Sequence, residues 1–134
     1  ERVGTVFIDR SNPTAAKKSV DRLLTTLNRG ISVIVYPEGT RTKNGELNSF
    51  KKGAFHLAAK SNTPIIPLHI HGTRKALPKG GFLLRKNPVH VRFGTPIAPP
   101  VQESAQALQS FVEAGEQAVQ RMKEWHNAHV ETPD

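Results

Sequence analysis

The sequence contains no cysteine, so a disulfide framework and a cysteine-ligated zinc site are both excluded. It contains no run approaching ~18 apolar residues, and it therefore predicts no transmembrane helix. One Trp and one Tyr occur among 134 residues, which leaves little material for an aromatic platform that stacks on nucleic-acid bases. Hydrophobic residues nevertheless make up 37% of the chain, which is enough for the core of one folded domain.

Acidic residues are absent from the middle of the chain. Between Leu47 and Gln102 there is no Asp or Glu, whereas this stretch carries nine of the 19 Lys and Arg residues. The net charge of +8 is therefore concentrated in this stretch. Because a concentrated positive field attracts anions, we expect a phosphate group, a nucleic acid or an anionic membrane as partner. A basic face that serves solubility alone is the alternative.

Apolar patterning predicts alternating strands and helices. Val3–Ile8 and Ile31–Tyr36 are apolar runs typical of buried strands, and the second suits a parallel sheet covered on both faces. A helix is predicted between them, with Asn12 as N-cap, Pro13 at the first helical position and Gly30 at the end. Strand, helix and strand in this order form a crossover unit.

The later segments continue this alternation. Ser49 is the predicted cap of a second helix, Phe50–Lys60, and Ile65–Ile70 is predicted as a strand in which Pro67 requires an edge or a bulge. A basic excursion, a further strand and a long helix are predicted over Arg74–Pro88, Val89–Phe93 and Ser104–His126. We expect an α/β fold with a mixed, largely parallel sheet flanked by helices, in which 1–100 form the α/β part with phosphate-binding loops and 101–134 the C-terminal helix and tail.

Two of the predicted strands end in similar polar groups. Asp9 and Arg10 follow the first strand, and the second is followed by Glu38-Gly39-Thr40-Arg41. In open α/β sheets, ligands bind beyond the carboxyl ends of the strands, and two guanidinium groups can bind one phosphate. Alternatively, the two arginines pair at the surface with neighbouring acids, namely Asp9, Glu38 or Glu46.

Lys51 and Lys52 open the second predicted helix. A cation at a helix N-terminus is unfavourable by about 0.3 to 1 kcal/mol, so two of them indicate a compensating anion. Both lysines therefore join the predicted phosphate site.

Four short strings stand in one order along the chain: Gly4-Thr5-Val6-Phe7-Ile8-Asp9-Arg10, Tyr36-Pro37-Glu38-Gly39-Thr40-Arg41, Phe50-Lys51-Lys52-Gly53-Ala54 and Pro64-Ile65-Ile66-Pro67. Together they resemble the consecutive blocks of the lysophosphatidic acid acyltransferase family of glycerolipid synthesis. The resemblance covers roughly Gly4–Ile97. It implies a glycerolipid acyltransferase-like fold, with 1–134 as the C-terminal portion of a single, N-terminally truncated acyltransferase domain.

The resemblance also implies an activity. Members of the family transfer an acyl group from acyl-coenzyme A or acyl carrier protein to the free hydroxyl of 1-acylglycerol 3-phosphate. It implies that the acceptor phosphate is bound by Glu38, Gly39, Thr40 and Arg41, with Arg10 from the earlier block. No bound cofactor and no metal are expected, since the acyl thioester is a co-substrate. The implied location is an anionic membrane surface, with peripheral attachment or an N-terminal anchor and an active site on the cytoplasmic side.

The family's catalytic block is not in this sequence. An Asn-His-x4-Asp block supplies the general base and the group that orients it, and it precedes the strand that carries Arg10. We therefore expect that block upstream of Glu1, name no catalytic residue here, and expect the chain as given to be inactive. His129 and Asp134 share the spacing, but they follow the phosphate blocks and Ala128 replaces the Asn, so we interpret the match as coincidence.

Two further patterns leave alternatives open. His69 and His71 alternate as a metal pair would, but no third ligand stands out in the sequence. The basic excursion holds Phe82-Leu83-Leu84 between cations, which suits either a membrane-contacting edge or a strand with charged ends. The competing functions are a nucleic-acid-binding basic module, which we do not expect without stacking aromatics, and a non-catalytic lipid-binding relative.

Overall fold

The computed structural model describes residues 13–40, 42, 44–77, 80–102 and 104–130. Several predicted features lie outside these described residues: the strand Val3–Ile8, the cap Asn12, and the site residues Arg10 and Arg41. The described helices and strands are, in chain order, α1 (Pro13–Asn28), α2 (Gly53–Lys60), β1 (Leu68–His71), α3 (Thr73–Ala76), β2 (His90–Phe93) and α4 (Ala105–His129).

Helix α1 has the start and the end that the sequence predicts. It begins at Pro13, and its last residue is Asn28. Gly30 follows with φ +73, in the left-handed region that favours glycine. The N–H of Gly30 donates to the Leu27 carbonyl at 2.8 Å, and the N–H of Ile31 donates to the Thr26 carbonyl at 3.2 Å. These two bonds are the pair of a Schellman motif, so the predicted stop at Gly30 is confirmed.

Helix α4 begins at a side-chain cap. The Ser104 hydroxyl accepts the N–H of Ala107 at 3.0 Å, as expected of a serine in extended backbone before a helix. The helix continues to His129, one turn beyond the predicted end at His126. One stripe of α4 is buried, and it consists of Leu108, Phe111, Val112, Gly115, Val119, Met122 and His126.

The core lies where α2 packs against α4. The Phe55 and Phe111 rings meet edge to face, with centroids 5.3 Å apart and an interplanar angle of 88°. Gly115 permits this close approach, because a Cβ there would lie 2.8 Å from Cε1 of Phe55. The buried residues of this cluster are Phe55, Ala58, Leu108, Phe111 and Val112, with Phe50, Ala54, Ile65 and Ile97 packed at its edge.

The described sheet is antiparallel, and the predicted largely parallel sheet is not confirmed. Strands β1 and β2 pair in the register Leu68 with Phe93 through His71 with His90. An isolated antiparallel bridge joins Ile65 to Ile97. The predicted strand Ile65–Ile70 is interrupted between the bridge at Ile65 and the start of β1, because Pro67 has no N–H to donate. The Pro67 carbonyl still accepts the N–H of Gly94 at 2.8 Å.

The two faces of this sheet differ in chemistry. Residues alternate between faces along a strand, so one face carries His69, His71, His90 and Arg92, and the other carries Leu68, Ile70, Val91 and Phe93. On the first face, the His71 ring stacks on His126 of α4, and the Arg92 guanidinium lies over the ring of Trp125. Val91 and Phe93 of the second face are exposed.

Ile31–Tyr36 is not the buried strand that the sequence predicts. The segment forms no β-ladder within the described part of the chain, and Ile34 and Tyr36 are 75% and 72% exposed. An apolar run supplies the tendency to be buried, but a strand also needs a neighbour to accept and donate its backbone hydrogen bonds. The neighbour that the sequence predicts, Val3–Ile8, lies outside the described residues.

Helix α2 starts later than predicted, at Gly53 instead of Phe50, and Ser49 is not its cap. The N–H of Phe50 donates to the Glu116 carboxylate at 2.6 Å, and the N–H of Lys51 donates to the Pro37 carbonyl at 2.8 Å. Phe50 and Lys51 thus lie outside α2, and their amides bind acceptors that are distant in the sequence. No local sequence signal reports such contacts.

The basic excursion after β1 opens with a short helix. Gly72 precedes α3 with φ +90, and a Cβ at Gly72 would collide with the carbonyl oxygen of Pro88. The chain then returns, with the N–H of Arg85 donating to the carbonyl of Ala76 at 2.8 Å. The strand predicted at Val89–Phe93 is confirmed as β2.

Candidate functional site

The loop between Tyr36 and α2 begins with a tight turn. Gly39 adopts φ +74, and its N–H donates to the carbonyl of Tyr36 at 3.1 Å. A residue with a Cβ is strained in this conformation, which explains glycine at this position. Gly39 and Thr40 are exposed, so the Thr40 hydroxyl is accessible to a ligand.

The Glu38 carboxylate binds the far end of the same loop. Its Oε2 accepts the backbone N–H of Asn48 at 2.9 Å, and the residue is half-buried. The bond closes the loop across a separation of ten residues. This contact gives Glu38 a structural role in shaping the loop, while its contact with a ligand stays a prediction.

Lys51 and Lys52 lie beside this turn. The hydrogen bond from the Lys51 N–H to the Pro37 carbonyl, 2.8 Å long, places the residues before α2 against the start of the loop. Lys52 is the N-cap residue of α2, and both lysines are exposed. An anion bound here would meet two ammonium groups and the positive end of the α2 dipole. The structure thus brings together five of the predicted site residues: Glu38, Gly39, Thr40, Lys51 and Lys52.

The acids near this loop have partners of their own. Lys123 of α4 donates to the Glu46 carboxylate at 2.8 Å. That hydrogen bond and the positive charge of Lys123 hold the pKa of Glu46 below its usual value. Glu38 is bonded to Asn48, so neither carboxylate is left without a partner. The other members of the predicted surface pairs lie outside the described residues: Asp9, Arg10 and Arg41.

Helix α4 contacts the loop at two points seven residues apart along the helix. Glu116 accepts the N–H of Phe50 at 2.6 Å, and Lys123 binds Glu46. On the other side of the loop, the Arg74 guanidinium donates to the carbonyl of Asn44. Sequence reasoning missed these residues, because their partners are 66, 77 and 30 positions away and no motif marks them.

Two open clefts lie next to the loop and beside the sheet, but neither includes Glu38, Gly39 or Thr40. The first, of about 450 Å³, is lined by Leu47, Asn48, Ser49, Glu116, Gln117, Gln120, Arg121 and Glu124. Its two carboxylates suit a phosphate poorly. The second, of about 600 Å³, lies between residues 92–98 and α4, where Trp125 and Met122 form part of its wall.

The structure collects four histidines at the interface between the sheet and α4. His69, His71 and His90 face His126, whose side chain is buried. The sequence had singled out only the first two. Within the part of the chain that the structure describes, no group of three or more His, Cys, Asp or Glu side chains is arranged to hold a metal ion.

His129 packs on its own helix. Its ring stacks on Trp125 with centroids 4.6 Å apart, and its Nδ1 lies 2.8 Å from the Trp125 carbonyl. Asp134, the other half of the His-x4-Asp match, lies outside the described residues. The interpretation of this match as coincidence stays a prediction.

The basic excursion exposes apolar side chains. Phe82, Leu83 and Leu84 are 103%, 75% and 74% exposed, and Arg85 and Lys86 follow them directly. They are not part of a strand, so the alternative of a strand with charged ends is wrong for this segment. None of the helices among the described residues is long and apolar enough to cross a bilayer.

Comparison with known proteins gives a consistent family. The sequence model of the Acyltransferase family matches residues 1–71. The chain is 44% identical over 93 residues to 1-acyl-sn-glycerol-3-phosphate acyltransferase of Limnanthes douglasii, a match that covers 69% of this chain and 33% of the relative. It is 42% identical over 66 residues to the human enzyme named 1-acyl-sn-glycerol-3-phosphate acyltransferase alpha, which covers 48% of this chain and 23% of that one.

A solved structure agrees with the sequence relatives. The crystal structure of PlsC from Thermotoga maritima, a 1-acyl-sn-glycerophosphate (LPA) acyltransferase, superposes with a TM-score of 0.74 at 31% identity. The match covers 87% of this chain and 47% of that one. The chain spans about a third of the length of the curated plant relatives it matches, at 33%, 33% and 30%.

Proposed function

The chain belongs to the acyltransferase family, and on that premise we propose that it forms the acceptor-binding part of a 1-acylglycerol-3-phosphate O-acyltransferase of phospholipid synthesis. The observation that carries the proposal is the exposed Gly39–Thr40 turn beside Lys51 and Lys52, at the edge of a stretch that contains no acid. The names of the sequence relatives and of the solved neighbour support the same acceptor. None of them favours the nucleic-acid alternative.

In this proposal the acceptor phosphate lies over the Gly39 turn. Arg10 and Arg41 supply guanidinium groups that bind phosphate oxygens in pairs, and Lys51 and Lys52 add positive charge at the start of α2. The Thr40 hydroxyl donates one further hydrogen bond. Glu38 accepts the Asn48 amide and so keeps the loop closed beside the bound phosphate.

Binding the phosphate fixes where the reacting hydroxyl of the acceptor lies. In acyl transfer, a general base removes the proton from this hydroxyl while its oxygen attacks the thioester carbonyl, and the thiol of the donor leaves. The base that the family resemblance implies is the His of an Asn-His-x4-Asp block, expected upstream of Glu1. The described part of the site therefore contributes orientation rather than proton transfer. The donor is an acyl thioester, on coenzyme A or on acyl carrier protein.

The proposed partner for the excursion 80–86 is the anionic membrane from which a lipid acceptor is drawn. Aromatic and aliphatic side chains enter the interface between headgroups and acyl chains, while neighbouring Lys and Arg side chains meet anionic headgroups. Phe82, Leu83 and Leu84 followed by Arg85 and Lys86 have this composition. Such an attachment is peripheral, and in this proposal the acceptor site lies at the membrane surface on the cytoplasmic side.

Phe82→Ala is expected to weaken binding to vesicles that contain anionic lipid by roughly 10- to 100-fold, because burial of a Phe side chain stabilises by roughly 1.5 to 3 kcal/mol. Cosedimentation with phosphatidylglycerol-containing vesicles measures this, with pure phosphatidylcholine vesicles as reference. Val101→Ala is the matched control, since Val101 is also fully exposed but lies outside the basic excursion. Equal binding of both variants would show that this edge does not contact membranes.

Arg41→Ala is expected to reduce the affinity for lysophosphatidic acid by roughly 10- to 100-fold, because a hydrogen bond to a charged group contributes about 1.5 to 3 kcal/mol. Isothermal titration calorimetry at low salt measures the loss. Arg22→Ala, an exposed arginine of α1, is the control for net charge. An unchanged affinity of the Arg41 variant would contradict the assigned site.

The 134-residue chain is expected to bind the acceptor without transferring an acyl group, since it contains no Asn-His-x4-Asp block. A turnover assay with acyl-coenzyme A and lysophosphatidic acid tests this. Measurable product that disappears in His129→Ala would show that the C-terminal His-x4-Asp match supplies the base.

A further inference from the structure

Four imidazole rings from three elements surround one point between the sheet and α4. His69 and His71 share a face of β1, and His90 pairs with His71 across the ladder. The buried His126 of α4 contacts all three, with ring centroids 4.0 Å from His71, 5.2 Å from His90 and 6.0 Å from His69. This set of four residues is called the histidine cluster below.

Two positively charged side chains lie beside the cluster. Lys123 lies one turn before His126 on α4, and Arg92 of β2 lies over the Trp125 ring at 3.5 Å from its centroid. The Glu46 carboxylate adds a negative charge near the cluster, and it is bound to Lys123. Burial lowers the pKa of His69, and the positive charges of His126, His71 and Lys123 lower it further. A proton added to His69 therefore meets repulsion from groups on β1 and on α4.

The cluster is connected to the candidate binding loop through α4. Lys123 holds Glu46 at 2.8 Å, and Glu116 holds the Phe50 amide at 2.6 Å. The first half of α4 is fixed by the apolar core around Phe55, whereas its second half meets the sheet through the cluster, the buried Met122 and the Arg92–Trp125 contact. A loss of contact at the cluster thus acts first on the half of α4 that carries Lys123.

We propose that the histidine cluster positions the candidate binding loop through α4, and that protonation of the cluster detaches the second half of α4 and releases the loop. The functional meaning of that release rests on the proposed role of the loop in binding the acceptor. The positioning itself concerns contacts within this chain alone.

The direction of the pH dependence follows from linkage. In the opened state His69 has its ordinary pKa near 6.5, and in the closed state burial and the neighbouring positive charges lower that pKa. The closed state is therefore fully stable above about pH 6.5 and is progressively lost as the pH falls below that value. Between pH 7.5 and pH 5.5 the opening equilibrium rises roughly tenfold for each histidine whose protonation is linked to it.

Amide hydrogen exchange, measured residue by residue by NMR and corrected for intrinsic rates, tests this on the full chain. At pH 5.5 compared with pH 7.5, we expect amides of 119–129 and of Glu46–Asn48 to lose protection by roughly tenfold or more. Amides of 108–112 should keep their protection from exchange, because the apolar core fixes that part of α4. Equal changes in both parts of the helix, or none, would overturn the proposal.

A variant within the cluster provides the second readout. His69→Gln removes the titrating ring whose pKa the closed state lowers, and it is expected to lessen the pH-dependent loss of protection by roughly tenfold. His56→Gln, an exposed histidine of α2 outside the cluster, should behave as the unmodified chain does. If His69→Gln keeps the pH dependence of His56→Gln, or if α4 opens while the loop stays protected, the proposal is wrong.

Lysophosphatidic acid binding at the same two pH values separates this proposal from the proposed function. The phosphate of the ligand itself titrates in this range, so the comparison is between the unmodified chain and His69→Gln at each pH. A pH-dependent opening with no lysophosphatidic acid binding at either pH would leave the positioning intact and overturn the assignment of the ligand. Binding that weakens at pH 5.5 equally in both proteins would overturn the link between the cluster and the site.

Discussion

The contact that the candidate site depends on is the 2.6 Å hydrogen bond between the Phe50 amide and the Glu116 carboxylate. It fixes the end of the loop against α4, just before α2 begins. Together with the ion pair between Lys123 and Glu46, this hydrogen bond attaches the loop to α4. The loop itself contains few backbone hydrogen bonds. The apolar packing of Phe55 and Phe111 at Gly115 in turn keeps α2 and α4 in contact.

This arrangement explains why the loop can present positive charge to a ligand. The two carboxylates of the loop already have partners: Glu38 accepts the Asn48 amide, and Glu46 binds Lys123. Lys51 and Lys52 stay exposed beside the Gly39 turn, in a stretch without acids. The electrostatic attraction for a phosphate therefore follows from which charges the fold neutralises and which it leaves accessible.

Features encoded by neighbouring residues could be predicted from the sequence. Gly30 ends α1 because only its backbone adopts the required φ without strain, and Ser104 begins α4 because its hydroxyl accepts the Ala107 amide. Features that depend on distant partners could not. The amide of Phe50 is bound by Glu116, 66 residues away, and β1 pairs antiparallel with β2. Within the candidate site the residue types were predictable from the four motifs, whereas the support by α4 and the histidine cluster required the fold.

The central claim, that α4 positions the loop, is tested most directly by the exchange of loop amides in Glu116→Ala. Glu113→Ala is the matched control, since Glu113 lies on the same helix but is exposed and bonded to Gln109 instead of the loop. The account predicts faster exchange at 44–52 in Glu116→Ala alone, with the amides of 108–112 still protected in both variants. Loop amides that exchange equally in the two variants would contradict it.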